Sequence, residues 1–272
     1  MQYILLFYYV GAVVFGLAIG SFINCFIYRM EIGESLKGRS YCPSCKHILS
    51  WQDLFPVISF FFLSGRCRYC HKKISWQYPL VEILTGLIFL LIISNFKFQI
   101  SNQFQISNQF QISNALNILF LFYVASSLII IFIYDLKHFI IPDKVLFPAI
   151  IITFLYQLIN SQNLSILNYI LAGIGAALFF LLIFLISSGR WIGFGDVKLA
   201  ILLGFILGFP NILAGLFLAF LFGAIIGLEL MMFGKKGLKS EVPFAPFLIV
   251  GTFLAMLFGE EIIAWYINIL LF

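Results

Sequence analysis

Charge is scarce in this chain. Only 10% of its 272 residues are Asp, Glu, Lys or Arg, and 62% are hydrophobic. Soluble domains are nearer a quarter charged and half apolar. A water-soluble globular fold is therefore excluded, and a polytopic membrane protein is indicated. Histidine is almost absent. Two of the three, His47 and His71, adjoin cysteines, and His138 is the other. No His-Glu-x-x-His motif occurs, which removes metalloprotease and most histidine-based mechanisms. No P-loop and no dinucleotide-type glycine loop is present either, and nucleic acid is not an expected partner.

What is present is a series of long apolar runs. They cover residues 3–27, 79–94, 116–134, 140–159, 166–187, 197–208, 212–233 and 244–272. We read an all-α protein with about eight transmembrane helices, two of them short. The first run shows no small-residue cleavage site and is read as a retained helix. Gly11, Gly16 and Gly20 on it suit close helix approach, and it ends at Tyr28 and Arg29, an aromatic and a cation suited to an interface. The expected organisation is a first transmembrane helix (1–29), an extramembrane insert (30–78) and a membrane core (79–272).

Lysine and arginine orient the chain. With the insert on the cytoplasmic side and spans alternating, fifteen of the sixteen cations fall on that side, and only Lys97 does not. The positive-inside rule then supports a multi-pass protein of the cytoplasmic (inner) membrane with both termini outside. A repeat of Ile-Ser-Asn-Gln-Phe-Gln fills residues 98–114. Its apolar residues fall on even positions, a strand-like alternation, and it is expected to form a neutral outer loop.

The insert carries Cys42-x-x-Cys45 and Cys67-x-x-Cys70, separated by 21 residues. This is close to a zinc-ribbon spacing, one residue beyond the usual gap. Four thiolates suit tetrahedral coordination, and a reducing compartment disfavours disulfides. A structural zinc would stabilise an insert too small to fold alone. Redox disulfides or plain reduced cysteines are the alternatives. His47 and His71 read as surface residues, and Cys25 as a small buried hydrophobe.

Acidic groups in apolar runs need a reason. Asp135 ends the third run, and Asp196 follows Gly193-Phe194-Gly195 at the start of the sixth. The topology puts both at the cytoplasmic edge of the bilayer. Two carboxylates sharing one low-dielectric site cannot easily both ionise, so the pair holds a base and an acid together. Such a pair can activate water against an amide and protonate the leaving nitrogen. Alternatively each Asp caps a helix or pairs with Lys137 or Lys198, both two residues away. Asp143, after Ile141-Pro142, reads as a cap on a helix start. Glu229 is expected to face the bundle interior; Glu82 is a polar tie or part of a site. Glu241, Glu260 and Glu261 read as interfacial. Pro243-Phe244-Ala245-Pro246-Phe247 is either a plain helix start or an extended segment that pairs with a peptide.

Taken in order, these residues resemble the type IV prepilin peptidases. The resemblance rests on Gly20-Ser21-Phe22-Ile23-Asn24 with Tyr28-Arg29, the two cysteine pairs, Tyr78-Pro79-Leu80-Val81-Glu82, Asp135 with Ile141-Pro142-Asp143, and Gly193-Phe194-Gly195-Asp196-Val197-Lys198-Leu199. It implies an aspartic membrane protease of the GxGD type. Asp135 and Asp196 match the catalytic pair, supported by Gly193, Gly195 and Lys198, and the two glycines are read as leaving room beside Asp196 for a bound peptide. Cys42, Cys45, Cys67 and Cys70 match a zinc-binding cytoplasmic domain. The implied substrates are prepilin or pseudopilin precursors in the lipid bilayer, cut after a glycine at the cytoplasmic face. The implied second activity is N-methylation of the new terminus, with S-adenosylmethionine as donor. A peptidase without methyltransferase activity, or a non-enzymatic assembly protein with a zinc docking module, are the competing readings. The 98–114 repeat has no counterpart in the family pattern, and oligomeric state is left open.

Overall fold

The computed structural model describes residues 2–102, 108–160, 163–232 and 242–270, with side chains described for 6–94, 115–160, 165–232 and 242–269. Among the described residues the protein is all helical, with no strand beyond two isolated antiparallel bridges. It divides into two compact units, residues 1–129 and 130–272.

The first unit contains α1 (Gln2–Glu31), a 3-10 turn (Trp51–Leu54), α2 (Ile58–Phe62), α3 (Gln77–Asn102) and the first part of α4 (Asn108–His138). Helix α1 packs along α3. Two of its three glycines explain the closeness. A Cβ on Gly16 would lie 2.7 Å from the Gly86 Cα, and one on Gly20 would lie 2.6 Å from the Glu82 Cα. Only hydrogen fits at such a crossing. Gly11 meets nothing within 4 Å and is not part of the seam. Phe15, Phe89 and Phe122 fill the space beside it, with Phe89 stacked on Phe122 at 3.9 Å.

Helix α1 runs four residues past Ile27, which carries Arg29 inward. Arg29 is only 4% exposed. Its guanidinium donates to the carbonyls of Ser35, Lys37, Gly38 and Arg39 at 3.0–3.2 Å. The expectation of an interfacial cation gives way to a strut that folds the chain back into the insert. Five donors in a rigid fork suit four carbonyls.

The second unit contains the end of α4, then α5 (Asp143–Asn160), α6 (Asn163–Ser187), α7 (Phe194–Leu207), α8 (Asn211–Met232) and α9 (Ala245–Leu270). Among the described residues, seven helices are long and apolar enough to cross a membrane. The eighth, α7, has 14 residues. At 1.5 Å per residue that is about 21 Å, short of a bilayer core of about 30 Å. Helix α7 is the buried centre of the unit, packed on α5, α6, α8 and α9, and with it the eight expected apolar helices are all present, this one short. Leu199, Leu202 and Leu203 are fully buried. Its C-terminal end is tied to neighbouring helices by side-chain amides. Gln157 donates to the Phe205 carbonyl, and the Asn168 amide exchanges two bonds with the Phe209 backbone.

Two expectations change. Helices α3 and α4 extend into both ends of the 98–114 repeat, so those ends are helical rather than strand-like; residues 103–107 lie outside the described residues. The repeat contains neither Gly nor Pro to stop its flanking helices. Glu229 is exposed, not interior, on a stretch of α8 where Ile225, Ile226 and Leu228 are exposed too. Glu260 and Glu261 are exposed, and Glu241 lies outside the described residues.

Candidate active site and metal centre

Asp196 is the third residue of α7 and is 8% exposed. Its carboxylate accepts the Gly193 N–H at 3.1 Å, and its own N–H donates to the Gly193 carbonyl at 3.1 Å. Gly193, in extended conformation, makes the entry to the helix, and Asp196 reaches back to its orphan donor as capping residues do. A Cβ on Gly193 would lie 3.5 Å from Asp196 Oδ2. Gly195 has a different role from the one its motif suggests. A Cβ there would meet Ile141 at 3.2–3.4 Å, so this glycine seats α7 against the Ile141-Pro142-Asp143 corner.

Asp135 lies near the end of α4 and is 5% exposed. The backbone N–H of Ala245, the first residue of α9, is directed at it. Its Oδ2 is buried with no hydrogen-bond partner. The charge of Asp135 bears on Asp196. The segment 243–247 is therefore a helix start that offers a donor to Asp135, a role its sequence does not announce. Ala245 is fully buried, and Phe244 is held among Phe180, Phe220 and Phe247.

Lys198 turns away from the pair. Its ammonium binds both oxygens of Asp143, at 2.7 and 2.9 Å, and lies over the rings of Phe147 and Phe194. Asp143 opens α5, as its cap-like sequence suggests, and it also joins α5 to α7. A Ser-x-x-Lys spacing occurs at Ser94 and Lys97, but the Ser94 hydroxyl donates to Leu91 O in its own helix.

In the first unit the sulfurs of Cys42, Cys45, Cys67 and Cys70 all lie within 4.8 Å of one another. Ligands 2.3 Å from a tetrahedral metal are about 3.8 Å apart, so the set fits such an ion. The two cysteine pairs are built alike. Cys42 N–H donates to His47 O and Lys46 N–H to Cys42 O; Cys67 N–H donates to Lys72 O and His71 N–H to Cys67 O. Lys46 and His71 hold matching positive φ, 59° and 56°. Burial works against the Cys42 thiolate, but the Cys45 and Ser44 N–H groups lower its pKa to about 7. The Lys72 N–H pulls Cys70 down, yet burial and the other three thiols push it up to about 11. A bound cation would displace that last proton. His47 stacks on Tyr69 and His71 is exposed; neither joins the sulfur cluster.

Asp53 clamps the second cysteine pair to the 3-10 turn. It accepts from Arg68 at 2.7 Å, from Tyr69 OH and from Ser50. Burial alone would raise its carboxyl; these donors outweigh it and hold it below the usual range. Glu82, on α3 and 7% exposed, accepts the Val57 N–H at 2.7 Å and bonds the Ser21 side chain. Asn24 donates to Tyr78 O at 3.0 Å. Glu82 is thus a polar tie between α1, α3 and the insert.

Known proteins match along the same lines. A profile described as the bacterial peptidase A24 N-terminal domain matches residues 14–96, and one described as the type IV leader peptidase family matches residues 121–228. The Prepilin leader peptidase/N-methyltransferase of Bacillus subtilis (strain 168) is 32% identical over 262 residues, covering 95% of this chain and 97% of that protein. The protein of the same name from Legionella pneumophila is 30% identical over 290 residues, covering 96% and 95%. The chain belongs to the type IV leader peptidase family. The N-terminal match spans the Gly16–Gly20 seam, Arg29, the four cysteines and Glu82. The family match spans Asp135, Asp143 and Asp196 and stops one residue short of Glu229. Ala245 lies beyond both. No solved structure matches the chain.

Proposed function

We propose that this protein removes the leader peptides of type IV prepilins and pilin-like precursors by aspartyl catalysis, and that it N-methylates the new terminus. The observation that carries the peptidase reading is the pair Asp135 and Asp196. Both are buried, the Asp135 charge acts on Asp196, and the nearby Lys198 is bound to Asp143. In the proposed reaction one carboxylate takes a proton from water as it attacks the scissile carbonyl. The other gives a proton to the carbonyl oxygen, and the leaving nitrogen is then protonated. The Gly193 N–H orients Asp196 and the Ala245 N–H orients Asp135.

Zinc is the metal we assign to the four cysteines, in a structural role, since four thiolates leave no open position. S-adenosylmethionine is the proposed methyl donor, on the strength of the relatives' names. The insert is proposed to face the cytoplasm and both termini the other side, which the cation distribution supports. Reconstitution with a prepilin tests the whole reading. Mass spectrometry is expected to find mature pilin carrying one added methyl. An uncut precursor contradicts the peptidase assignment; a cut, unmethylated product contradicts the second activity.

A further inference from the structure

The first unit contains a cavity of about 310 Å³, enclosed by the insert and the insert-proximal ends of α1 and α3. This is within the range for pockets that hold small ligands, about 300–1,000 Å³. Its wall is graded in charge. Lys72 and Lys73 are exposed and stand at the rim. Glu82 is buried and stands at the floor, beside Ser21. The rings of Tyr28, Tyr41 and Tyr78 also line it, Tyr41 with its hydroxyl on Glu34 and the Lys46 ammonium over its ring.

The cations and acids in this wall divide into committed and available groups. Arg29 is spent on four carbonyls, and Arg68 is bound to Asp53. Asp53 is occupied by Arg68, Ser50 and Tyr69. Glu82 is held only by the neutral Val57 N–H and Ser21 side chain. A buried carboxylate whose partners are neutral is suited to a cationic ligand group. The second large cavity, on α6 and α8, is lined almost wholly by Leu, Ile, Ala and Phe and offers nothing to a zwitterion.

We propose that the graded cavity is the methyl-donor site, taking S-adenosylmethionine with its carboxylate toward Lys72 and Lys73 and its sulfonium toward Glu82. The tyrosine rings receive the adenine and the face of the cation. This rests on the methyltransferase reading above. In the transfer, the lone pair of the new terminal amine forms a bond to the methyl carbon. The carbon–sulfur bond breaks with its electrons left on sulfur, and the amine gives up a proton. Glu82 is the acceptor we assign for that proton. The products are the N-methylated chain and S-adenosylhomocysteine.

The full-length protein in detergent, loaded with zinc, provides the test. The sulfonium donor and its uncharged thioether product differ by one methyl and one charge. Glu82→Gln is expected to weaken S-adenosylmethionine at least tenfold in equilibrium dialysis while changing S-adenosylhomocysteine by less than threefold. Equal weakening of both, or of neither, overturns the assignment of Glu82. Photo-crosslinking of the wild type with 8-azido-S-adenosylmethionine is the second measurement and needs no variant. Adducts on peptides from residues 40–82 are expected; adducts confined to 130–272 overturn the site. A wild type that binds neither compound, yet cleaves prepilin, removes the methyltransferase reading and this site with it.

Discussion

Lys198 binds both oxygens of Asp143, at 2.7 and 2.9 Å, although Asp196 is only two residues away on its own helix. Helical geometry explains the choice. Residues i and i+2 point to different faces, so Asp196 turns back to Gly193 while Lys198 crosses to α5. The acid that was expected only to cap a helix thereby takes up the cation that was the alternative partner for the dyad.

Because the Asp143 side chain is 53% exposed and that of Lys198 is 23% exposed, solvent screens the pair. Asp143→Asn and Lys198→Met are each expected to destabilise the protein slightly, and their coupling in a double-mutant cycle to be about 0.2–1 kcal/mol. Thermal unfolding in detergent at low and high salt checks this. Salt is expected to shrink the coupling.

Gly20 and Gly11 lie on one helix and make a contrasting pair. Gly20→Ala drives a methyl into the Glu82 backbone and is expected to cost about 1–3 kcal/mol. Gly11→Ala meets open space and is expected to be neutral or slightly stabilising. Unfolding midpoints of the two variants measure the difference.

Arg29→Met removes the only side chain shown reaching the carbonyls of Ser35, Lys37, Gly38 and Arg39. Each hydrogen bond to a charged group contributes about 1.5–3 kcal/mol. Hydrogen exchange is expected to show residues 34–40 losing most of their protection, with the α5–α8 amides unchanged.

The cysteine quartet predicts one tightly held metal per chain. Elemental analysis is expected to find zinc near one equivalent, and Cys42→Ser to lose most of it. Acidification is expected to release the metal, because protons compete for the thiolates. Four cysteines that resist thiol reagents and hold no metal would indicate disulfides instead.

Much of this organisation is legible in the sequence. The apolar runs mark the helices, and the spacing of the cysteines marks their cluster, because membrane burial and metal ligation both write strong one-dimensional patterns. Asp135 and Asp196 stand out because acids are rare in apolar runs. What is hidden depends on partners far along the chain. Arg29 reads as an interfacial cation, and only the fold shows the four carbonyls around it. Glu229 reads as interior because its neighbours are apolar, yet Ile225, Ile226 and Leu228 are themselves exposed and so is Glu229. Gly195 reads as room for a substrate, and its space is filled by Ile141. Ala245 carries no side-chain signal, since its contribution is a backbone N–H.

The central claim is that Asp135 and Asp196 act together on the scissile amide. The most direct measurement is prepilin cleavage by wild type, Asp135→Asn and Asp196→Asn, each reconstituted at equal amounts with zinc bound. Asn keeps the shape and removes the acid. Each variant is expected to lose at least about 10²–10⁴-fold in cleavage rate, while zinc content and unfolding temperature stay near those of the wild type. Cleavage by either variant at a rate near that of wild type would contradict the account.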